Sequence, residues 1–292
     1  MRRRLDHKDH RRDLADNRYV YAVMSRRAGG LSIGINLNPD KVCNFDCPYC
    51  QVDRTVPGGS REVDLERMEM ELDTLLAHVS DGTLWAMSPF DTALEAQRRV
   101  VDIAFAGDGE PTSCPGFADA VMRVGRMRAG YGLTNVRIVV LSNATLFHRP
   151  IVQRGLLALD ALGGEVWAKL DAGTPEWFAT VAGTRWPFDR VIDNIKQVAA
   201  EQQIVLQCMF HTWDGQPPSD IEVHAWAERI GEILDEGGQI RQVQVYSVAR
   251  SPADIRVGVL GVTRLNAIAA AARSVIQKRA AGTEVVVYPG LS

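Results

Sequence analysis

Strand and helix patterns alternate along this chain. Short apolar runs, each long enough for one buried strand, are separated by stretches in which apolar residues recur every three to four positions. The strand patterns cover residues 31–37, 100–106, 136–141, 166–170, 204–210 and 240–248. The helix patterns cover residues 62–79, 117–127, 151–159, 188–200, 221–234 and 264–280, and a short closing strand is predicted at 284–288. About six βα units in series predict an α/β fold in which helices cover parallel strands.

Two architectures satisfy this pattern: an open doubly wound sheet and a full or partial TIM-like barrel. No Gly-x-Gly-x-x-Gly follows the first predicted strand, so the main sequence evidence for a dinucleotide-binding sheet is missing. Composition does not change abruptly along residues 31–292, which predicts a single domain that ends in a helix and a strand. Residues 1–30 are predicted to be a charged N-terminal extension.

Composition narrows the functional classes. The chain has 292 residues, 46% of them apolar, so intrinsic disorder does not describe it as a whole. A net charge of −3 argues against a protein built to cover nucleic-acid backbones, although the first 18 residues carry seven basic and four acidic side chains. That tail is expected to be solvated, with an RNA-docking arm as the alternative.

The expected location is the cytoplasm. The chain has no run of about 18 uninterrupted apolar residues, so no membrane association is expected. Five cysteines are too few, and odd in number, for a secreted disulfide framework. The charged opening lacks the apolar middle of a signal peptide.

The most informative motif is a cysteine cluster directly after the first predicted strand. Cys43, Cys47 and Cys50 are spaced C-x3-C-x2-C, and three thiolates this close can bind zinc or an iron–sulfur cluster. A structural zinc site needs four protein ligands, and no second pair of ligands lies nearby, because Cys114 and Cys208 are isolated. Three ligands leave one position open for a small molecule, as catalysis at a metal requires.

This motif, with aromatic Tyr49 just before its last cysteine, resembles the signature of the radical S-adenosylmethionine (radical SAM) superfamily. The resemblance implies a partial TIM-like (β/α)6 barrel of the radical SAM type. It also implies a [4Fe–4S] cluster on Cys43, Cys47 and Cys50, with S-adenosylmethionine (SAM) chelated at the fourth iron. One electron then cleaves SAM to methionine and a 5′-deoxyadenosyl radical, which abstracts hydrogen from an unidentified substrate. A zinc- or cluster-containing protein that binds or modifies RNA is the alternative.

A second segment, Gly-Asp-Gly-Glu-Pro, ends the second predicted strand. It is similar to the Gly-Gly-Glu-Pro segment of the superfamily, with Asp108 in place of the first glycine of the usual pair. The resemblance implies that Gly109, Glu110 and Pro111 bind the SAM amino group. A tight turn with a solvated glutamate is the alternative.

Other matches are strand-end polar residues and an aromatic ring. The resemblance implies that Ser142 and Asn143 contact the carboxylate or ribose of SAM, and that Lys169 and Asp171 do the same. For both pairs, an ordinary strand-end ion pair or cap is the alternative. Tyr49 is implied to lie against adenine, and the usual adenine motif of the fifth strand is not recognisable.

The geometry of parallel strands gives a separate argument. The cysteine loop and all of these polar residues fall at or just beyond the carboxyl ends of predicted strands, where the functional face of a parallel barrel lies. Three further residues near these ends are candidates for substrate chemistry, with ordinary packing as the alternative: Cys114, His211 and Tyr246.

Residues 34–54, 166–173 and 243–252 resemble the Fe–S oxidoreductase group related to the tRNA wyosine synthase. Those tRNA enzymes have three further cysteines upstream for an auxiliary cluster. No cysteine precedes Cys43, so an auxiliary cluster and chemistry on tRNA are not expected here. The implied partners are a substrate and an electron donor such as flavodoxin or ferredoxin.

Overall fold

The computed structural model describes residues 17–25, 29–249, 252, 254–279 and 282–290. Residues 1–16, most of the predicted charged tail, lie outside the described residues. The chain divides into two compact units. The first unit comprises Met1–Val42, Pro57–Leu141 and Ile151–Glu165, and the second comprises Cys43–Val56, Ser142–Pro150 and Val166–Ser292. The single domain proposed for residues 31–292 stays a prediction.

Among the described residues, the first unit is built on four strands and three α-helices. Its strands and helices are, in chain order, β1 (Val20–Ser25), β2 (Gly30–Ile35), α1 (Leu65–Ser80), β3 (Val100–Phe105), α2 (Phe117–Gly130), β4 (Arg137–Ser142) and α3 (Pro150–Ala161). The strands lie in the order β1-β2-β3-β4, with β1 antiparallel to β2 and the other pairs parallel.

Helix α1 illustrates how sequence dictates an element of this unit. The Asp64 carboxylate accepts hydrogen bonds from the backbone N–H groups of Glu66 and Arg67, which satisfies donors that a helix start leaves free. The apolar positions of α1 fall on one face, and Met68 and Leu72 are fully buried.

Strand β1 was not predicted, and a buried carboxylate holds its start. Glu71 of α1 accepts hydrogen bonds from the backbone N–H groups of Arg18, Tyr19 and Val20. Its charge is balanced by Arg67, whose Nε lies 2.9 Å from Oε1. A single side chain on a helix thus orders the entry to the strand.

The second unit contains a four-stranded parallel sheet covered by helices. Its strands and helices are, in chain order, β5 (Glu165–Lys169), α4 (Pro175–Ala182), α5 (Phe188–Glu201), β6 (Ile204–Met209), β7 (His211–Trp213), α6 (Asp220–Asp235), β8 (Ile240–Tyr246), β9 (Val257–Val259), α7 (Val262–Gln277) and β10 (Glu284–Tyr288). The sheet order is β5-β6-β8-β10, and β7 pairs antiparallel with β9 apart from it.

The parallel register of this sheet places polar residues on one face. Lys169 pairs with Gln207, and Gln207 pairs with Gln244 on the next strand, so the three side chains share a face. The opposite face carries apolar residues such as Leu206 and Val243, which are fully buried. Lys169 and Tyr246, two residues that the sequence marks as candidates, end β5 and β8.

Candidate active site

The three cysteines of the motif lie on one loop of the second unit, and all three are free thiols of intermediate exposure. Backbone hydrogen bonds fix the loop in place. The N–H of Cys50 donates to the carbonyl of Cys47 at 2.9 Å, which closes a turn between two of the cysteines. The N–H of Asp46 donates to Ala182 at the end of α4, also at 2.9 Å. One hydrogen bond within the loop and one to the end of α4 therefore fix its conformation.

A closed ring of side-chain hydrogen bonds fixes Asn44, the residue after the first cysteine. Asn44 Nδ2 donates to the Thr145 hydroxyl (2.6 Å), Thr145 Oγ1 donates to Asn143 Oδ1 (2.7 Å), and Asn143 Nδ2 donates back to Asn44 Oδ1 (2.7 Å). Asn194 on α5 supports the ring, because its Nδ2 donates to the carbonyls of Ala144 and Thr145 at 2.8 and 2.9 Å. The predicted residue Asn143 is thereby brought to the cysteine loop.

Its neighbour Ser142 has a local role at the end of β4. The Ser142 hydroxyl accepts the N–H of Ala144 at 3.0 Å, and Ala144 adopts the left-handed conformation with φ of 61°. This turn points the following residues at the loop. The structure thus places Ser142 and Asn143 in one buried turn beside the cysteines.

The predicted pair Lys169 and Asp171 forms a compact cluster with two tyrosines. Lys169 Nζ lies 3.3 Å from Asp171 Oδ2 and donates to the Tyr246 hydroxyl at 3.3 Å. The Tyr49 hydroxyl donates a short hydrogen bond to Asp171, and Lys169 Nζ lies 5.0 Å from the centre of the Tyr49 ring. Asp171 Oδ1 accepts the N–H of Met209 at 2.8 Å, which ties the cluster to the end of β6.

Burial dominates the electrostatics of this cluster. It raises the pKa of the Cys47 thiol to about 12, and the Lys169 ammonium opposes that rise. Burial likewise raises the pKa of Tyr49, and the neighbouring Asp171 carboxylate adds to the rise. Burial alone would lower the pKa of Lys169, but the Asp171 carboxylate together with Tyr246 and Cys47 raises it above its usual value. At neutral pH the Cys47 thiol is therefore protonated beside the ion pair of Lys169 and Asp171. A metal cation that replaces the thiol proton would remove the cost of forming the thiolate.

His211 lies in an aromatic cluster with Tyr49, Trp177 and Trp213, whose ring centroids lie 5.7, 6.2 and 6.4 Å from that of His211. His211 Nδ1 is 3.0 Å from the Thr212 carbonyl, so this nitrogen carries the proton and Nε2 is an acceptor. Nε2 is buried without a hydrogen-bond partner among the described residues. Burial lowers the pKa of His211, which favours the neutral ring. The cluster thus offers an unused acceptor among flat aromatic faces.

Arg54 contacts the last cysteine of the motif and was not predicted. Its Nη1 donates to Cys50 Sγ at 3.3 Å. The hydrogen bond to Cys50 and the charges of Cys50 and Cys43 raise the pKa of Arg54 against the effect of burial.

The Gly-Asp-Gly-Glu-Pro segment belongs to the first unit. Position 109 has no room for a side chain, since a Cβ there would lie 2.2 Å from the carbonyl oxygen of Val42, so glycine is needed. Glu110 is buried, and its Oε1 accepts hydrogen bonds from the N–H and hydroxyl of Thr112 at 3.1 and 2.6 Å. The carboxylate caps a short helical turn that begins at Pro111.

Asp108, the residue that departs from the usual glycine pair, is held by a neighbouring amide. Asn36 Nδ2 donates to Asp108 Oδ2 at 2.7 Å, and Asn36 Oδ1 accepts the N–H of Asp108 at 3.1 Å. The segment is therefore ordered by hydrogen bonds within the first unit.

The two remaining cysteines are core residues. Cys114, in the first unit, is 5% exposed, and burial raises the pKa of its thiol. Cys208, on β6, is fully buried, and burial again raises the pKa. Both thiols stay protonated near neutral pH, and the role of Cys114 in substrate chemistry stays a prediction.

The donor set of the loop fits an iron–sulfur cluster, because three free thiols on one anchored loop are soft ligands for iron. Within the part of the chain that the structure describes, no three His, Cys, Asp or Glu side chains converge as the ligands of a single metal ion. A four-iron cluster does not need its ligands to converge on one point, since each thiolate binds its own iron atom. Among the helices of the described residues, none has the length and apolar content needed to cross a membrane.

Comparison with known proteins identifies the family. The family model described as the radical SAM superfamily matches residues 37–227, which is more than half of the chain and includes the cysteine loop. The chain therefore belongs to the radical SAM superfamily. The superfamily uses a [4Fe–4S] cluster and SAM, and the prediction of these two cofactors is confirmed.

Individual relatives are distant. A UPF0026 protein of Helicobacter pylori (strain J99) is 28% identical over 159 residues, which are 51% of this chain and 44% of that protein. This chain thus spans less than half the length of that curated relative.

Two solved structures resemble about nine tenths of this chain. A radical SAM methyltransferase from Sphaerobacter thermophilus has a TM-score of 0.59 at 17% identity, covering 92% of this chain and 68% of that one. Streptococcus suis SuiB, solved bound to SAM, has a TM-score of 0.57 at 13% identity, covering 90% of this chain and 52% of that one. At these identities the similarity shows the fold, and it confirms the predicted α/β fold of the radical SAM type.

Proposed function

We propose that this chain is a radical SAM enzyme that cleaves SAM reductively and abstracts a hydrogen atom from an organic substrate. The observation that carries the proposal is the anchored loop with three free thiols, Cys43, Cys47 and Cys50, which would hold the cluster. When bound, the cluster supplies the electron that splits SAM into methionine and a 5′-deoxyadenosyl radical. An electron donor such as flavodoxin or ferredoxin would provide that electron, and the reaction class would be of the oxidoreductase or lyase type.

The residues around the loop are suited to bind SAM. Lys169 would attract the SAM carboxylate, while Asp171 would accept hydrogen bonds from the ribose hydroxyls. The turn at Ser142 and Asn143 would contribute further polar contacts to the same groups. Tyr49, ordered by Asp171, would present its ring to adenine.

His211 supports this assignment of the adenine. Its unused Nε2 acceptor among aromatic rings matches the amino group of a flat heteroaromatic base. We expect His211→Phe to keep the ring packing but to weaken SAM binding roughly two- to tenfold, because one net hydrogen bond contributes about 0.5–1.5 kcal/mol. Equilibrium binding of SAM to the reconstituted protein measures this, with iron content as the control. An unchanged affinity would show that Nε2 does not face the adenine amine.

Glu110 is assigned to the SAM ammonium group by the motif that it shares with the superfamily. We expect Glu110→Gln to weaken SAM binding roughly 10- to 100-fold, because a hydrogen bond to a charged group contributes about 1.5–3 kcal/mol. Glutamine can still accept from Thr112, so the local turn should persist. Glu95→Gln, at an exposed position of the same unit, is the matched control. Equal affinity in both variants and the wild type would remove this role.

The substrate side is suggested by the polar face of the second unit. Gln207 and Gln244 are buried, and Gln207 Nε2 donates to Gln244 Oε1 at 3.3 Å. With Tyr246 at the end of β8, these groups would favour a polar substrate rather than an aliphatic one. RNA remains an alternative substrate or partner, and the five free cysteines suit a reducing compartment such as the cytoplasm.

Anaerobic reconstitution with iron and sulfide tests the proposed function. We expect a brown protein with about four irons per chain, which forms 5′-deoxyadenosine from SAM once dithionite is added. Omitting dithionite should abolish the product. A colourless protein that binds zinc tightly would support the zinc alternative and overturn the proposal. A cluster that loads but yields no 5′-deoxyadenosine would leave a structural or sensory cluster as the better interpretation.

A further inference from the structure

Arg54 follows the cysteine motif by four residues and takes no part in the function proposed above. Its side chain is half-buried, and its Nη1 donates a hydrogen bond to Cys50 Sγ at 3.3 Å. Burial alone would lower the pKa of Arg54, but the contact with Cys50 and the nearby Cys43 thiol raise it. The guanidinium therefore stays positively charged at every pH at which the protein is folded.

A second positive group, Lys169, also lies near the cysteines. Lys169 influences Cys47, but its ammonium lies 3.3 Å from the Asp171 carboxylate, so the pair has no net charge. Arg54 donates directly to a sulfur, that of Cys50. Its environment also includes Asp46, which is exposed and therefore well screened by water. Arg54 thus places a charged hydrogen-bond donor at the Cys50 sulfur.

We propose that Arg54 raises the reduction potential of the cluster through its hydrogen bond to the Cys50 sulfur; this inference rests on the proposed function. Reduction adds one electron from an external low-potential donor and makes the cluster more negative by one unit. A fixed cation beside a ligating sulfur stabilises that added charge more than it stabilises the oxidised state. Hydrogen bonds to the sulfurs and net charge are among the factors that set cluster potentials.

The expected consequence is that the cluster is reduced more readily by its electron donor. With Arg54 in place, a weaker donor suffices to reduce the cluster. Without it, the same donor would reduce a smaller fraction of molecules. No proton moves in this step, because the guanidinium is charged before and after reduction.

The test is a redox titration of the reconstituted protein without SAM, in which the reduced cluster is quantified by electron paramagnetic resonance. We expect Arg54→Met to reduce the one-electron equilibrium constant about tenfold, which corresponds to about 59 mV toward more negative potential. Arg54→Lys keeps the charge and loses the planar donor, so its shift should be smaller. Arg185→Met, an exposed arginine of the same unit, controls for charge removal in general and should leave the potential unchanged.

Each outcome bears on the inference. Wild-type potentials in both Arg54 variants, with iron content equal to that of the wild type, would overturn it. An equal shift in Arg185→Met would also overturn it, because a general charge effect would then explain the change. Loss of iron from both Arg54 variants would assign the residue to cluster assembly instead. If the wild type itself formed no cluster, the proposed function would fail first, so the two failures can be told apart.

Discussion

Replacing Cys47 with alanine should abolish cluster binding while leaving the fold intact. The Cys47 thiol is one of three on the loop, and two sulfurs cannot hold a four-iron cluster against loss to solvent. The loop itself should persist, because its anchors are backbone groups and the Asn44 ring rather than the thiol. Iron analysis after anaerobic reconstitution, together with circular dichroism, measures both expectations.

Cys114→Ala is the matched control for this experiment, since it removes a thiol of the same chain that lies outside the loop. We expect it to retain iron at the level of the wild type. Full iron content in Cys47→Ala would contradict the ligand assignment. Equal loss in both variants would instead indicate that the chain is sensitive to any cysteine replacement.

The second large effect is expected on stability. Asp171→Ala leaves the Lys169 ammonium without its partner at 3.3 Å, in a place where the two side chains are 21% and 8% exposed. It also removes the acceptor of the Tyr49 hydroxyl and of the Met209 N–H. Breaking one side of a buried ion pair costs about 3–5 kcal/mol of unfolding free energy. Urea denaturation of the iron-free protein, followed by circular dichroism, measures the loss.

Asp193→Ala, at an exposed position on α5, is the control and should change the unfolding free energy by less than about 0.5 kcal/mol. Asp171→Asn should recover part of the loss, because its amide oxygen can still accept the N–H of Met209. A loss of under about 1 kcal/mol in Asp171→Ala would show that water or another group compensates Lys169.

The main strands and helices could be predicted because their apolar patterns are long and regular. Predicted and observed bounds agree within a few residues, as for 204–210 against Ile204–Met209 and 221–234 against Asp220–Asp235. The missed strands β7 and β9 have three residues each, which is too short for any periodicity to be visible. Helix α4 has eight residues, and only Thr174 followed by Pro175 marks its start.

The site was predictable to the extent that its residues form local motifs. The cysteine spacing and the polar strand ends could be found along the chain, and the structure brings Asn143, Lys169, Asp171, His211 and Tyr246 into the same unit as the cysteines.

The supporting residues could not be found this way, because their partners are remote in sequence. Asn44 is 101 positions from Thr145, and Asn194 is a polar residue in the middle of a helix that looks like ordinary surface. Arg54 is close in sequence to Cys50, but only geometry shows that it donates to the sulfur.

The hydrogen-bonded ring of Asn44, Asn143 and Thr145 has a consequence for how the metal centre is assembled. Because the ring uses only groups of the polypeptide, we expect the ordering entropy of the cysteine segment to be lost during folding rather than when iron binds. The protein without iron would then already hold the cysteine loop in the conformation that binds the cluster. Slow amide hydrogen exchange at Asp46 before any metal is added would be the visible sign of that preorganisation.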